Sequence, residues 1–190
     1  MRSSSISFLL AACAVLFSHS GQAQMTDSAV TLSGDSYAFA ITVPTGWVLE
    51  SGHGTWVGTR AILFPQATSK SPTMWGKPDA WITIGIASKQ SEGNLTLKNL
   101  MTFYAKVDSQ EARGVSDLPN LVTKDGKKAL LKHKAGSHSF GAIALIEDQS
   151  IVTVFELRRF DEQHFNEAFP KFKQVVESYS SVLVTNKSGK

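Results

Sequence analysis

The chain is most constrained by residues 36–48, which specify a β-strand, the turn that ends it and an aromatic residue that follows. Bulky side chains occupy alternate positions from 39 to 43, which is the spacing of a strand with one apolar face. Pro44 lacks the N–H that a strand must donate, so the strand is expected to end there. Pro44 and Gly46 fit the second and fourth positions of a type I turn. We therefore expect Trp47 to start a second strand, paired with the first as a hairpin.

The other strands are predicted from the same two-residue period and from runs of branched residues. Their ranges are 29–33, 60–64, 80–88, 127–135, 139–147 and 151–159. The last range carries apolar residues on both faces, with Phe155 on one and Val154 on the other. Because a sheet that is apolar on both faces must be covered on both faces, helices are expected on each side.

Two segments carry the three-and-four spacing of an amphipathic helix. The first covers residues 94–111, and the second covers residues 161–183 with Asp161 as its N-cap. Phenylalanines and valines form a continuous apolar stripe along the second helix, which is therefore expected to cover the sheet. Pro170 lies inside that stripe and predicts either a kink or a division into two shorter helices.

The N-terminus has the features of a secretory signal peptide at residues 1–23. Arg2 supplies the positive start, residues 6–17 form the apolar segment, and Ala23 ends a region that fits signal peptidase cleavage. An alternative is that Cys13 is the lipidated cysteine of a bacterial lipobox, which would anchor the protein to a membrane. The expected location is periplasmic or secreted, or the cell envelope membrane if Cys13 is lipidated.

Residues 24–190 are expected to form a single domain with a disordered tail at 185–190. Cys13 is the only cysteine in the sequence, so no disulfide is expected. The net charge is only +3 over 190 residues, which disfavours nucleic-acid binding. The sequence also has no Gly-x-Ser-x-Gly elbow and no glycine-rich phosphate loop. We therefore predict a non-enzymatic protein without a cofactor.

Two features are candidates for partner binding. Trp75 lies in the proline-rich segment 65–79, and an exposed tryptophan is a common interface anchor. Lys128, Lys132 and Lys134 share one face of a predicted strand and form a basic patch for an acidic partner or lipid headgroup. Each feature has a structural alternative, because the tryptophan can fold back onto the sheet edge and lysines on an edge strand prevent aggregation.

A metal-ion or small-molecule carrier is the alternative function. His133 and His138 could meet across a bend, and imidazole binds zinc or copper readily. The histidines lack a paired spacing such as His-Glu-x-x-His, so no metal site is predicted. An uncharacterised hydrolase ranks last, because Ser137 and His138 are neighbours that would point to opposite faces of a strand.

Two motifs occur at opposite ends of the expected domain: an early strand that ends in Val-Pro-x-Gly-Trp, and a closing helix that is rich in phenylalanine. Their residues are Phe39, Ile41, Val43, Pro44, Gly46 and Trp47, then Phe169, Pro170, Phe172, Val175, Val176, Ser178 and Tyr179. With the order of strands between them, these motifs resemble the PsbP-like superfamily, which includes an extrinsic photosystem II subunit, a nuclear Ran-binding factor and bacterial envelope proteins of the DcrB type.

The resemblance implies an α+β fold, in which an α/β/α sandwich has a mostly antiparallel sheet of about six strands covered by helices. It also implies a binding or accessory role without catalysis, although fold alone is a weak guide to function. The expected protein is thus a non-enzymatic envelope protein that binds a protein partner through Trp75 or the lysine patch. A membrane partner is expected only if Cys13 is lipidated.

Overall fold

The computed structural model describes most of the residues between 27 and 182. The described ranges are 27–34, 37–51, 59–66, 80–89, 112–136, 140–149, 151–159 and 161–182, with residues 96, 97, 99, 100 and 102. The strands are β1 (Ser28–Gly34), β2 (Tyr37–Val43), β3 (Trp47–Ser51), β4 (Thr59–Pro65), β5 (Trp81–Ser88), β6 (Ala112–Asp117), β7 (Leu121–Val122), β8 (Lys128–Gly136), β9 (Phe140–Glu147), β10 (Ile151–Arg159) and β11 (Ser180–Ser181). The C-terminal helix, Glu162–Glu177, lies between β10 and β11.

These strands form two antiparallel sheets. The large sheet has eight strands in the order β3-β4-β5-β10-β9-β8-β6, with β7 also paired to β8. The small sheet has three strands in the order β1-β2-β11. The α+β class and the mostly antiparallel pairing are therefore confirmed. The expected count of about six strands in one sheet is too low for the large sheet, because the polar strand β6 and the two-residue strand β7 lack a long apolar alternation.

The turn after β2 carries the chain from the small sheet to the large sheet. The N–H of Trp47 donates to the carbonyl of Pro44 at 3.0 Å, and Gly46 has a φ of 82°. Gly46 therefore occupies the third position, where a type II turn requires a positive φ, rather than the fourth position of a type I turn. β3 pairs with β4 and not with β2, so the predicted hairpin is wrong. The physical reason is that a type II turn splays the two strands that it connects.

The C-terminal helix begins as predicted and ends earlier. The Asp161 side chain accepts a hydrogen bond from the N–H of His164 at 2.9 Å and caps the first turn. The helix continues through Pro170 without dividing there, and its C-cap is Ser178. The predicted end at residue 183 is wrong, because the chain becomes extended and forms β11 immediately after Tyr179.

One face of the large sheet, called here the core face, is covered by the C-terminal helix and the small sheet. The buried residues of this core include Ile82, Ile84, Ala129, Leu131, Ala144, Phe155, Leu157, Phe165, Phe172, Val175 and Val176. Tyr179 stacks on Phe39 of β2, with ring centroids 5.1 Å apart, and meets Phe155 of β10 edge-on at 6.3 Å. A single aromatic side chain therefore connects both sheets at the end of the helix.

The opposite face of the large sheet, called here the second face, has a smaller apolar cluster. Its buried members are Leu100, Ile143, Leu145, Val152 and Val154. Leu100 belongs to the predicted mid-chain helix, whose described residues follow Thr96. The Thr96 hydroxyl caps this helix by accepting a hydrogen bond from the N–H of Asn99 at 3.2 Å. Leu97 packs against the same cluster, and the rest of the predicted mid-chain helix lies outside the described residues, so the cover of this face by a helix stays a prediction.

Several predicted features lie outside the described residues. They include the signal peptide at 1–23 with Cys13, Trp75, His138 and the tail at 185–190. Each of them stays a prediction. No helix in the part of the chain that the structure describes has the length and apolar character needed to cross a membrane.

Candidate functional site

The three lysines of β8 lie together on the second face of the large sheet. Ala129 and Leu131, which alternate with them, are buried in the core. Because successive side chains of a strand point to opposite faces, Lys128, Lys132 and Lys134 point away from the C-terminal helix. The sequence-based placement of the lysines on one face therefore agrees with the structure.

Two of these lysines are held by carboxylates in different surroundings. Lys132 Nζ lies 2.6 Å from Asp117 Oδ1, and Lys134 Nζ lies 3.4 Å from Glu156 Oε1. The Asp117 side chain is 82% exposed, whereas the Glu156 side chain is 8% exposed. The first pair is a surface ion pair and contributes about 0–1 kcal/mol. The second pair is needed, because an uncompensated buried carboxylate would be costly.

Glu156 is held by a second cation on its own strand. Arg158 Nε lies 2.9 Å from Glu156 Oε1, and Arg158 Nη2 donates to Oε2 at 3.0 Å. This two-point contact fixes the orientation of both planar groups. The buried carboxylate thus positions Arg158 and Lys134 next to each other on the second face.

Gly141 of β9 lies beside both cations that contact Glu156. It pairs with Lys134 on one side and with Arg158 on the other, so it lies between the two cations. A Cβ at Gly141 would lie 2.9 Å from the carbonyl oxygen of Leu157 and 3.6 Å from Lys134 Cδ. The close approach of the Leu157 carbonyl therefore excludes a side chain at Gly141, whereas Lys134 would meet one only at van der Waals distance.

Among the described residues, the length of β8 and the adjoining part of β10 carry more positive than negative charge on the second face. Lys128 is exposed and forms no ion pair with any residue that the structure describes. The buried carboxylate of Glu156 is shared by two cations. A surface with a surplus of positive charge attracts an acidic partner. We call this surface the basic face, defined by Lys128, Lys132, Lys134 and Arg158.

His133 lies on the core face, opposite to its neighbouring lysines. Its ring centroid is 4.9 Å from that of Phe165 in the C-terminal helix, and its Nε2 atom is buried without a described hydrogen-bond partner. Among the described residues, no group of three or more His, Cys, Asp or Glu side chains could hold a metal ion. Because His138 lies outside those residues, the alternative of a site shared by the two histidines is not tested by the structure.

A second polar cluster connects two turns of the large sheet to β11. Lys127 Nζ lies 2.5 Å from Asp125 Oδ2 and 3.5 Å from Asp148 Oδ2, and it donates to Ser181 Oγ. Ser181 Oγ donates in turn to Asp148 Oδ2 at 2.5 Å. The N–H of Ser181 donates to Asp125 Oδ2 at 2.9 Å. We call these four residues the latch: Asp125, Lys127, Asp148 and Ser181.

The latch contains a serine and a lysine in contact, which is an arrangement that some hydrolases use for catalysis. In such enzymes the lysine must be neutral to accept the serine proton. Partial burial acts to lower the pKa of Lys127, but the hydrogen bond with Asp125 and the charges of Asp148 and Asp125 outweigh it, so the pKa is raised. Lys127 is therefore charged at neutral pH, and this pair fastens β11 instead of activating a nucleophile.

The two carboxylates of the latch stay ionised at neutral pH. Burial acts to raise the pKa of Asp125, but the hydrogen bonds from Lys127, Thr123 and Ser181 hold that pKa well below its ordinary value. Burial likewise opposes ionisation of Asp148, whose pKa is nevertheless lowered by the Ser181 hydroxyl, the Gln149 N–H and Lys127. The latch therefore combines two negative charges with one positive charge.

The comparisons with known proteins rest on structure. No family model matches the sequence, and no curated protein matches it. The structure is similar to that of cyanobacterial PsbP (CyanoP) from Synechocystis sp. PCC 6803, with 15% identity and a TM-score of 0.54 over 85% of this chain and 96% of that chain. LpqN, which is involved in cell envelope biogenesis of Mycobacterium tuberculosis, is 13% identical with a TM-score of 0.54 over 83% of this chain and 92% of that chain. The protein has a PsbP-like fold.

A third solved structure extends the same likeness to a eukaryote. The Ran-binding protein Mog1p of Saccharomyces cerevisiae is 12% identical with a TM-score of 0.51 over 82% of this chain and 95% of that chain. Identities this low establish the PsbP-like fold and leave function to be argued from the site. The resemblance that the sequence motifs indicated is therefore confirmed for the fold.

Within the PsbP-like fold, sequence reasoning found the lysines but missed the residues that hold them. Glu156 lies between the buried apolar residues Phe155 and Leu157, and a charge at such a position is a usable signal for a buried ion pair. The latch gave no comparable signal. Asp125 and Asp148 lie in turns, where aspartate is common whether or not it forms an ion pair, and Ser181 lies 33 residues from Asp148 in the sequence.

Proposed function

We propose that this protein is a non-enzymatic accessory protein of the bacterial cell envelope that binds an acidic surface of a protein partner through its basic face. The observation that carries this proposal is the arrangement around Glu156. The buried carboxylate holds Lys134 and Arg158 in fixed positions, and exposed Lys128 adds charge along the same face. Fixed cations bind a complementary surface with less loss of side-chain entropy than mobile ones.

The absence of catalysis in this proposal is supported by the chemistry of the latch. Its serine is hydrogen-bonded to an ionised aspartate and its lysine is charged, so this pair is unsuited to nucleophilic attack. The sequence also lacks the motifs of hydrolases and phosphate-binding enzymes.

The location and the type of partner are supported by the sequence and by the structural neighbours. The first 23 residues have the pattern of a signal peptide. LpqN is involved in cell envelope biogenesis, and Mog1p is a Ran-binding protein. Both descriptions fit an accessory protein that acts by binding, here outside the cytoplasm.

The proposal is tested by neutralising two lysines of the basic face. The double variant Lys128→Gln and Lys132→Gln should keep its stability, because the only described ion pair that it removes is the exposed one with Asp117. We expect recovery of the partner from envelope extract to fall about tenfold or more, since each lost charge-assisted contact is worth roughly 1–3 kcal/mol. Recovery by the unaltered protein should also fall as salt is raised.

The matched control is a double variant with the same change in net charge on another surface, Lys171→Gln and Lys173→Gln in the C-terminal helix. Its partner recovery should equal that of the unaltered protein. A photo-reactive residue at position 128 should crosslink to the partner, and one at the exposed position 167 should not. Equal recovery by both double variants would contradict the proposal. The Trp75→Ala variant tests the second predicted anchor separately.

A further inference from the structure

A cleft of about 400 Å³ lies between the small sheet and one edge of the large sheet. It is lined by residues of the first four strands: Thr31, Leu32, Ser33, Tyr37, Ser51 and Arg60. Four of them carry hydroxyl groups, one is apolar and one is a guanidinium. This composition differs from the basic face, because hydrogen-bonding groups predominate and only one charge is present.

One wall of the cleft is the outer edge of β1. Among the described strands, β1 pairs only with β2, so every second backbone N–H and C=O of β1 points away from the sheet. Five of the seven residues of β1 are exposed. The strand sequence, Ser-Ala-Val-Thr-Leu-Ser-Gly, contains no lysine, no proline and no charge. Native edge strands usually carry proline, lysine or other charged residues, which prevent pairing with a further strand. Because β1 has none of them, its outer edge is open to another strand.

The cleft contacts the edge of β1 and not merely one of its faces. Side chains of a strand alternate between two faces, so a cleft on one face would meet every second residue. Here the successive residues Thr31, Leu32 and Ser33 all line the cleft. The open backbone groups of this part of β1 therefore border the cleft directly.

Arg60 supplies the one charge of the cleft. It is exposed on β4, and no described carboxylate forms an ion pair with it. Tyr37 lies at the end of the same cleft, where its ring packs on the backbone of Gly34. A Cβ at Gly34 would lie only 2.5 Å from Tyr37 Cε1. The cleft thus offers a strand edge, an aromatic wall and an unpaired guanidinium.

We infer that the edge of β1 binds an extended peptide segment of a partner protein as an added antiparallel or parallel strand, with an acidic side chain of that segment on Arg60. Strand addition supplies affinity through main-chain hydrogen bonds, and the side-chain contact supplies selectivity. The β1 strand of a second protein molecule is a poorer occupant of this site, because it contains no carboxylate that could pair with Arg60. This surface shares no residue with the basic face, so it is a second contact whose test is independent of the proposed function.

The test uses random nonapeptides displayed on phage and selected on the immobilised protein. We expect the selected peptides to alternate branched and polar residues and to contain Asp or Glu at a fixed position. A synthetic copy of a selected peptide should slow hydrogen exchange at β1 amides, and its Glu→Gln counterpart should bind about tenfold more weakly. Arg60→Gln should reduce binding by the same factor and should abolish the difference between the two peptides.

Charge placed on the open edge should block the added strand. Thr31→Lys and, as a second variant, Ser33→Lys replace exposed residues and should weaken peptide binding at least tenfold. The matched control Thr31→Val keeps strand propensity and should bind normally. The inference would be overturned if no peptide sequence were enriched, if β1 amides exchanged unchanged in the complex, or if the Lys128→Gln and Lys132→Gln variant lost peptide binding while Arg60→Gln retained it.

Discussion

Asp125 illustrates how one polar residue is fixed by several parts of the chain. Its carboxylate accepts hydrogen bonds from the Thr123 hydroxyl at 2.6 Å and from the Ser181 N–H at 2.9 Å, in addition to its ion pair with Lys127. Gly126 follows it with a φ of 82°, which completes the tight turn between β7 and β8. The carboxylate therefore connects a local turn to the C-terminal strand.

Replacing this carboxylate by an amide should destabilise the protein. The Asp125→Asn variant leaves Lys127 without its nearest counter-charge, and we expect the free energy of unfolding at pH 7 to fall by about 1–3 kcal/mol. The measurement is urea denaturation followed by far-UV circular dichroism. Asp117→Asn is the matched control, because its ion pair with Lys132 is exposed and should contribute less than about 1 kcal/mol.

The same variant should change how stability depends on pH. The pKa of Asp125 is lower in the folded protein than the ordinary value of 3.8, so its contribution is present above that value and is lost as pH falls towards the folded pKa. The unfolding free energy of the unaltered protein should therefore decrease from about pH 5 downwards. The decrease should be shallower for Asp125→Asn, and parallel curves would contradict this assignment.

At the scale of elements, the C-terminal helix contributes an apolar stripe whose side chains are buried to different extents. Phe172 is 0% exposed in the centre of the core, whereas Phe169 is only partly buried against it. The rings of Phe165, Phe169 and Phe172 follow one another with centroids 5.2 and 6.2 Å apart. The sequence pattern places the three phenylalanines at the spacing of one helix face, but the packing of the helix against the sheet buries them to different extents.

Truncation of Phe172 and of Phe169 should show that the two side chains contribute differently to the free energy of unfolding. Phe172→Ala should lower the free energy of unfolding by about 3–5 kcal/mol, because it creates a cavity with no adjacent solvent. Phe169→Ala should cost less, about 1–2 kcal/mol, since its partly exposed site can rehydrate. Thermal and urea denaturation of both variants shows which substitution lowers the free energy of unfolding more. Equal losses would show that the helix stripe is buried uniformly.

At the scale of the whole molecule, polar contacts of the described residues hold the small sheet to the rest at several places, and two of these places are β11 and Asp27. β11 pairs with β2 through Ser180 and Ser181, and the latch holds β11 to the large sheet. At the other place, Asp27 before β1 accepts hydrogen bonds from the N–H and hydroxyl of Thr45 at 2.7 and 2.8 Å, and it also accepts one from Gln174 of the C-terminal helix. The two sheets therefore depend on short polar contacts as well as on the core.

Removing β11 should loosen the small sheet selectively. A chain that ends at Tyr179 loses the pairing with β2 and the three latch contacts of Ser181, so we expect a loss of about 2–4 kcal/mol. Hydrogen exchange should accelerate at β2 amides more than at β10 amides. A chain that ends at Val182 keeps all these contacts and is the control. Equal exchange rates in the two truncated chains would contradict a role for β11.

Local physical chemistry determined much of this protein from its sequence. The period of two in β2, β5, β8, β9 and β10 and the spacing of the C-terminal stripe depend only on backbone geometry, so strand positions, the Asp161 cap and the common face of the lysines were predictable. The PsbP-like fold followed from two motifs whose residues are packing signals.

Tertiary structure decided which strands pair and which polar residues meet. That β3 pairs with β4 and not with β2 depends on how the two sheets pack, because the turn at Gly46 only separates β2 from β3 and does not specify the next partner. Glu156, the latch and the cleft at Arg60 each combine residues from separate elements. Such contacts have no sequence period, because the chain brings them together only when the two sheets and the helix close on a shared core.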